Sequence, residues 1–394
     1  MKVLGFNQDA SCCSVATSSN ALRIYNCDPF GQCFELQTQV NQDENNKLNL
    51  QDSTEPRFII GMLFSTSLIA VADKNQGWQR NRKLRIINTK RNSTICELTF
   101  PEEIVDVTMN RKRLCVLLVN DQICIYDISC MKLLQSVDAG VKADVQSRRG
   151  SLHTTCNVKM ALSSDDRSIL CYSAGSGVQG EKSVTNRIVV FDALNACPIN
   201  QLNDVHKGKI ACIDVSHKGD LVATASQKGT IIRIFHTGVD SEFDVNNPLF
   251  GEFRRGTRPS KIYAIKFNKS STLLGCVGDT DTLHIFKLAS LDNLPSSNNS
   301  EEVESMLRSK VAKESAGQLG YFLSKSVIPH LPNHKLTRDY AFVKVDEAVH
   351  HCFGFPEELP NKVYIAGDDG KLQIYDLPVT PGSCTLVKVN KFVI

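Results

Sequence analysis

The feature that most limits how this chain can fold is a phrase it repeats. A short β-rich run with small residues passes through a polar turn into a second run, which in nearly every copy ends in an aliphatic–aromatic pair. The second runs are Leu22-Arg23-Ile24-Tyr25, Leu84-Arg85-Ile86-Ile87, Ile123-Cys124-Ile125-Tyr126-Asp127, Ile188-Val189-Val190-Phe191-Asp192, Ile232-Arg233-Ile234-Phe235, Leu283-His284-Ile285-Phe286 and Leu372-Gln373-Ile374-Tyr375-Asp376. The clearest copy starts at Ile210 (IACIDVS, HKGD, LVATAS, QKGT, IIRIF), alternating apolar and polar positions with Gly219 and Gly229 at its turns. Each unit supplies about four strands, and seven units of roughly 40 residues each predict an all-β fold, a seven-bladed, WD-repeat-like β-propeller. A blade buries its faces only against its neighbours, so the ring must close to be stable. The first unit has strands near 2–7, 12–17, 21–26 and 33–40, the last near 349–354, 362–367, 371–376 and 384–394. The ends therefore need not share a blade by strand exchange.

A length of 394 residues would ordinarily suggest two or three domains; the repeat makes 1–394 a single one. With 42% apolar and 22% charged residues the chain can bury a sizeable core. A net charge of +3 is too balanced to attract nucleic acid or membrane through a global field, so an anionic partner needs a local basic pocket. No CxxC pair occurs among the 15 cysteines, which reads against a zinc ribbon or redox motif and for small buried residues in a reducing cytosol. The opening residues do not read as a secretory signal. The most apolar stretch, Phe58 to Ala72, is shorter than the roughly 20 residues of a bilayer span and fits two strands joined by a turn. Polar insertions interrupt the repeat at Asn41 to Glu55 and Val141 to Thr155. A third, 289–338, lies inside the sixth unit, and at about 50 residues it exceeds an ordinary connection.

Chemistry concentrates at Phe253-Arg254-Arg255-Gly256, on the expected outer strand of the fifth unit. Successive side chains of a strand point to opposite faces, and each face of a blade is turned to one of its two neighbours. Arg254 and Arg255 should therefore enter two different grooves, giving two adjacent anion sites. Upstream lie His206, Ser226, Lys228, Thr230 and Arg233; downstream lie Thr257, Arg258, Lys261, Thr280, Thr282 and His284. Guanidinium forks with hydroxyl donors suit a phosphomonoester, although spacing alone does not name the ligand.

FRRGT followed by IYAIKF and DTDTLHIFKL, and preceded by VHKGKI and LVATASQKGTIIRIF, resembles the PROPPINs, propellers that bind polyphosphoinositides. The resemblance is strongest over 204–288. It implies recognition of phosphatidylinositol 3-phosphate and phosphatidylinositol 3,5-bisphosphate, with His206, Ser226, Thr230, Arg233 and Arg254 in one site and Arg255, Thr257, Thr280, Thr282 and His284 in the other. It also implies a membrane-facing loop at 289–338 that inserts apolar side chains, here Leu319, Tyr321, Phe322, Leu323, Val327 and Ile328. The implied role is a monomeric, non-enzymatic scaffold without cofactor or metal. It would be cytoplasmic and peripheral on autophagosome-precursor, endosomal and vacuolar membranes, recruiting autophagy conjugation-machinery or lipid-transfer proteins. One departure is Val277-Gly278-Asp279, where relatives commonly carry a serine before the acidic or amide residue.

Blander readings stand beside these. Paired arginines on a strand are often solvated or ion-paired, and an adaptor that binds only proteins would leave Arg254 and Arg255 so. Ser226, Thr230 and Thr282 in polar turns serve equally well as structural hydrogen bonders. The apolar run in the long insertion fits a packed helix as well as a membrane wedge. Arg148-Arg149-Gly150 reads as a solvated basic loop, His350-His351 lacks companions at metal-ligand spacing, and Trp78 with Arg80, Arg82 and Lys83 marks either a partner surface or a plain turn. No GxSxG elbow or paired-carboxylate constellation supports an enzyme.

Overall fold

A computed structural model describes residues 1–18, 21–37, 58–74, 81–140, 156–175, 186–240, 248–288 and 337–393. In these the secondary structure is strand and turn, organised as seven sheets, each built on four antiparallel strands. The innermost strands contact one another around an axial cavity of about 480 Å³. This is the expected seven-bladed β-propeller.

The repeated phrase follows from each strand's place in a blade. The second strands, such as Arg113–Leu118, Ile169–Ala174 and Leu221–Ser226, are buried almost throughout because a neighbouring blade covers each face. That explains their small and β-branched side chains: two sheets must approach closely across them. The third strands, such as Ile231–His236, alternate between buried and half-buried positions. The outermost strands, such as Ser93–Thr99 and Lys132–Asp138, are largely exposed. Apolar clusters join adjacent blades, as where Ile169, Ile188 and Val190 of blade 4 pack with Ile213, Val215 and Val222 of blade 5. Each such fully buried side chain contributes about 1.5–3 kcal/mol.

The first and last blades each own their four strands: Lys2–Phe6, Cys12–Ala16, Ala21–Cys27 and Phe30–Gln37 in one, His351–Gly354, Lys362–Gly367, Lys371–Asp376 and Thr385–Lys391 in the other. Among the described residues no strand is exchanged between them. The seam is closed by side chains and by the Glu357 amide, which donates to the Asp9 carbonyl (3.1 Å). Asp368 accepts from Lys2 Nζ (3.0 Å) and from the Val3 amide (2.7 Å), Arg23 donates to the Val393 carbonyl (2.7 Å), and Tyr25 meets Phe392 edge-on. The Phe58 region forms two strands, Phe58–Met62 and Leu68–Asp73.

Two features differ from the sequence reading. Blade 6 gains a fifth strand, because Gly382–Ser383, from the last turn of blade 7, pairs parallel with Ala341–Lys344. The cysteines are not uniformly buried: Cys33, Cys130 and Cys197 are exposed, since they sit on outer strands or turns that no neighbour covers. Met1–Lys287 with Leu336–Ile394 forms one compact unit. Trp78, Arg80, Arg148, Arg149, Gly150 and the six apolar residues assigned to membrane insertion lie outside the described residues. Of the cations beside Trp78, Arg82 pairs with Glu102 (3.5 Å) and Lys83 with Glu97 (2.9 Å). Among the described residues no helix is long and apolar enough to cross a membrane.

Candidate functional site

Blade 5 consists of Ile210–Val215, Leu221–Ser226, Ile231–His236 and Leu249–Arg254. In its outer pair Arg254 lies opposite Ile231, Phe253 opposite Ile232 and Glu252 opposite Arg233. Directly opposed residues share a face, so Arg233, Glu252 and Arg254 are on one side and Phe253 on the other. The Arg233 side faces blade 4, because Arg233 reaches the carbonyl of Val205, just beyond that blade's outer strand (2.8 Å). The Phe253 side faces blade 6, whose Phe286 ring meets Phe253 at 5.4 Å. Arg255 follows to that side, with its Nε on the Gly229 carbonyl (2.7 Å), one terminal nitrogen on Thr280 Oγ1 (3.3 Å) and the other on the Arg258 carbonyl. The neighbouring guanidiniums are thrown to opposite sides.

Their environments differ. Arg254 is exposed and, among the described residues, pairs with no carboxylate. Arg255 is only 7% exposed, yet carbonyls and a hydroxyl hold it and no carboxylate lies in salt-bridge reach among the described residues. Burial pulls its pKa down, opposed over longer range by Asp279. A guanidinium withdrawn from water without a counter-ion is costly, and an incoming anion relieves that cost.

On the blade 4 side, Arg233 Nε donates to Glu252 Oε1 at 2.6 Å, so its charge is already matched. His206 is buried, with Nε2 at 3.0 Å from Thr224 Oγ1. Burial, and then the nearby Arg233, push its pKa down to about 4, leaving a neutral ring at pH 7. Ser226 and Thr230 are half-buried, and the Thr230 carbonyl accepts the Arg255 amide (3.0 Å), tying the turn to the arginine pair. On the blade 6 side, Thr257 is exposed, whereas Thr282 is buried, donates to Asp281 (2.8 Å) and accepts from Lys344 Nζ (3.0 Å). His284 is half-buried, with Nδ1 at 2.9 Å from Asp339. Thus Thr280 meets Arg255 directly, while His206, Arg233, Thr282 and His284 each hold a further protein partner.

Glycines make the junction possible. Gly229 has φ +59, and a Cβ there would stand 2.0 Å from the Ser260 carbonyl oxygen. A Cβ at Gly278 would lie 2.6 Å from both the Lys261 carbonyl oxygen and Ser260 Oγ. Ser260 Oγ itself donates to Asp279 (2.6 Å).

Glu252, Asp339 and Lys344 are among the residues of the site that the sequence reading does not name. Glu252 carries a usable signal, standing two residues before Arg254 on a strand and hence on its face. Asp339 and Lys344 come after the long insertion, and no spacing rule brings them beside residue 284.

The sequence profile of the PROPPIN family matches residues 1–393. This chain is a PROPPIN. Among curated relatives, Autophagy-related protein 21 of Eremothecium gossypii is 48% identical over 410 residues, and that of Saccharomyces cerevisiae strain S288c 43% over 495, each alignment covering both chains in full. Among solved structures, a complex of KlAtg21 with the coiled coil of AgAtg16 is similar at a TM-score of 0.76 and 43% identity, covering 100% of this chain and 99% of that one. Hsv2 of Kluyveromyces marxianus, at 16% identity and a TM-score of 0.65, shares the fold. The PROPPIN match takes in every blade, well beyond the 204–288 stretch that carries the resemblance most strongly.

Proposed function

We propose that this PROPPIN is a peripheral membrane scaffold that binds phosphatidylinositol 3-phosphate and phosphatidylinositol 3,5-bisphosphate through the two sides of the Arg254–Arg255 pair and recruits autophagy proteins to the forming autophagosome. Arg255 carries the reading: a buried cation without a carboxylate, flanked by Thr280, is suited to a phosphate. Arg254, Arg258, Lys228 and Lys261 are all exposed nearby and add the local positive field an anionic leaflet attracts. Two weak sites on one rigid body gain avidity, since the second headgroup binds from within the same membrane plane. The insertion at 289–338, through Leu319 to Ile328, would supply the apolar second signal that stable attachment needs.

The KlAtg21 structure contains a coiled coil of AgAtg16. At 43% identity over the whole chain, a coiled-coil protein of the autophagy machinery is the partner class we assign here. Endosomal and vacuolar membranes follow as sites of action from the two lipids.

Flotation with vesicles carrying each phosphoinositide tests the reading, wild type against Arg254→Thr/Arg255→Thr. The double variant should stay at the bottom of the gradient. Equal flotation of both proteins would leave a lipid-independent adaptor. Deleting Leu319 to Ile328 should weaken vesicle attachment and spare binding of soluble headgroup; loss of both would make that segment structural.

A further inference from the structure

The chain returning from the long insertion does not go directly to its own blade. Thr337 first joins the outer strand of blade 5, its amide donating to the Glu252 carbonyl (3.2 Å) and its carbonyl accepting the Arg254 amide (2.9 Å). Three residues on, the Tyr340 amide reaches the Ile285 carbonyl of blade 6 (2.8 Å), and Ala341–Lys344 then forms that blade's fourth strand. The span 337–340 thus crosses from one blade to the next, pinned at both ends by backbone bonds. Between the pins, the Asp339 carboxylate stands 2.9 Å from His284 Nδ1.

We infer that Asp339 is a positioning residue for the blade 6 site: it fixes the His284 ring through Nδ1 and supplies the charge that lets Nε2 donate a proton to a bound phosphate. The inference rests on the proposed headgroup site. Among the described residues nothing else takes Nε2. A neutral imidazole with Nδ1–H on the carboxylate presents Nε2 as an acceptor, which a phosphate oxygen repels; the imidazolium presents a donor. The charged groups facing the ring are Asp339 from the crossing segment, Arg255 from blade 5 and Lys344 from the fourth strand. Lys344 is paired with Asp281 at 2.8 Å. Burial, Arg255 and Lys344 disfavour the imidazolium and Asp339 favours it, leaving the ring neutral while the site is empty. A phosphate dianion adds negative charge on the far side and tips the balance, so binding takes up a proton.

The test uses the full-length Arg254→Thr protein, in which only the blade 6 site remains, titrated with inositol 1,3-bisphosphate at about pH 6 and about pH 7.5. Asp339→Asn keeps an acceptor for Nδ1 and removes the charge; Asp339→Ala removes both. The parent should bind with proton uptake, seen as a dependence of binding heat on buffer ionisation. Asp339→Asn should abolish that uptake and weaken binding at the lower pH about tenfold, as expected for losing one contacting opposite charge. Asp339→Ala should weaken binding at both. The probe's own ionisation is common to every variant and cancels. An Arg255→Thr control separates the failures. If it binds as well as the parent, the headgroup site itself is wrong. If Arg255 is required but Asp339→Asn behaves like its parent at both pH values, with unchanged thermal melts, this inference alone falls.

Discussion

Arg233 belongs to a repeated device, and that leads to a decisive measurement. In blade 5 its Nε donates to Glu252 on the next strand (2.6 Å), and a terminal nitrogen donates to Val205, in the exit linker of blade 4 (2.8 Å). In blade 1, Arg23 does the same with Glu35 (3.1 Å) and with Val393, in the exit of blade 7 (2.7 Å). The two positions are structural twins, and only one lies beside the arginine pair. Replacing each with Met keeps the aliphatic stem packed and removes both bonds. A hydrogen bond to a charged partner is worth about 1.5–3 kcal/mol when buried, and an exposed ion pair less than about 1. With side-chain exposures of 15% for Arg23 and 27% for Arg233, each variant should fall between, losing roughly 1–2 kcal/mol. At about 3 kcal/mol/M in urea that lowers the unfolding midpoint by somewhat under 1 M. Arg23→Met and Arg233→Met should shift alike, while only Arg233→Met weakens attachment to vesicles carrying phosphatidylinositol 3-phosphate. If Arg233→Met left the midpoint in place while Arg23→Met lowered it, the twin reasoning would be refuted and Arg233 would act purely on ligand. If both weakened attachment equally while fully folded, the headgroup would not be local to blade 5.

Gly229→Ala should cost at least about 2 kcal/mol, from left-handed backbone strain and the forced retreat of the Ser260 carbonyl. A chemical denaturation curve reads that loss, and vesicle attachment should fall with it because Gly229 holds Arg255. His206, with its folded pKa near 4 and an ordinary value of 6.5 when unfolded, contributes stability that is complete above about pH 6.5 and drains away as pH falls towards 4. Its share of the loss between pH 7 and 5 is about 2 kcal/mol, so His206→Gln should show a correspondingly flatter stability profile over that window. An unchanged profile would mean that the imidazole is not held neutral in the fold.

What could be read from the chain alone was whatever repeats or alternates. The run LVATAS announces a strand covered on both faces, and the dyad period of a strand sends Arg254 and Arg255 apart before any coordinate is known. The limit was local sequence itself. Gly382–Ser383 lends a parallel strand to blade 6 from the turn of blade 7, a pairing that no hydrophobic pattern encodes. Asp339 reaches His284 across 55 positions, through a crossing segment pinned by main-chain bonds to blades 5 and 6. Glu252 obeys the same alternation rule as the arginines, but an acidic side chain is not an obvious companion for an anion site. The sequence likewise does not show that the His206 ring lies against Thr224.

Six of the seven joints between neighbouring blades are crossed by the polypeptide; the one between the last blade and the first is not. That joint is held by an apolar cluster of Val3, Val15 and Tyr25 with Tyr364, Leu372 and Phe392, and by a few polar bonds from Asp368, Arg23 and Glu357, and it can part without either blade losing a strand. Amide exchange should therefore start there, at Val3 and along the inner edge of the last blade, ahead of any comparable position on the ring. Linking the two ends and cutting the chain between another pair of blades would move the weak joint around the circle and leave every sheet intact.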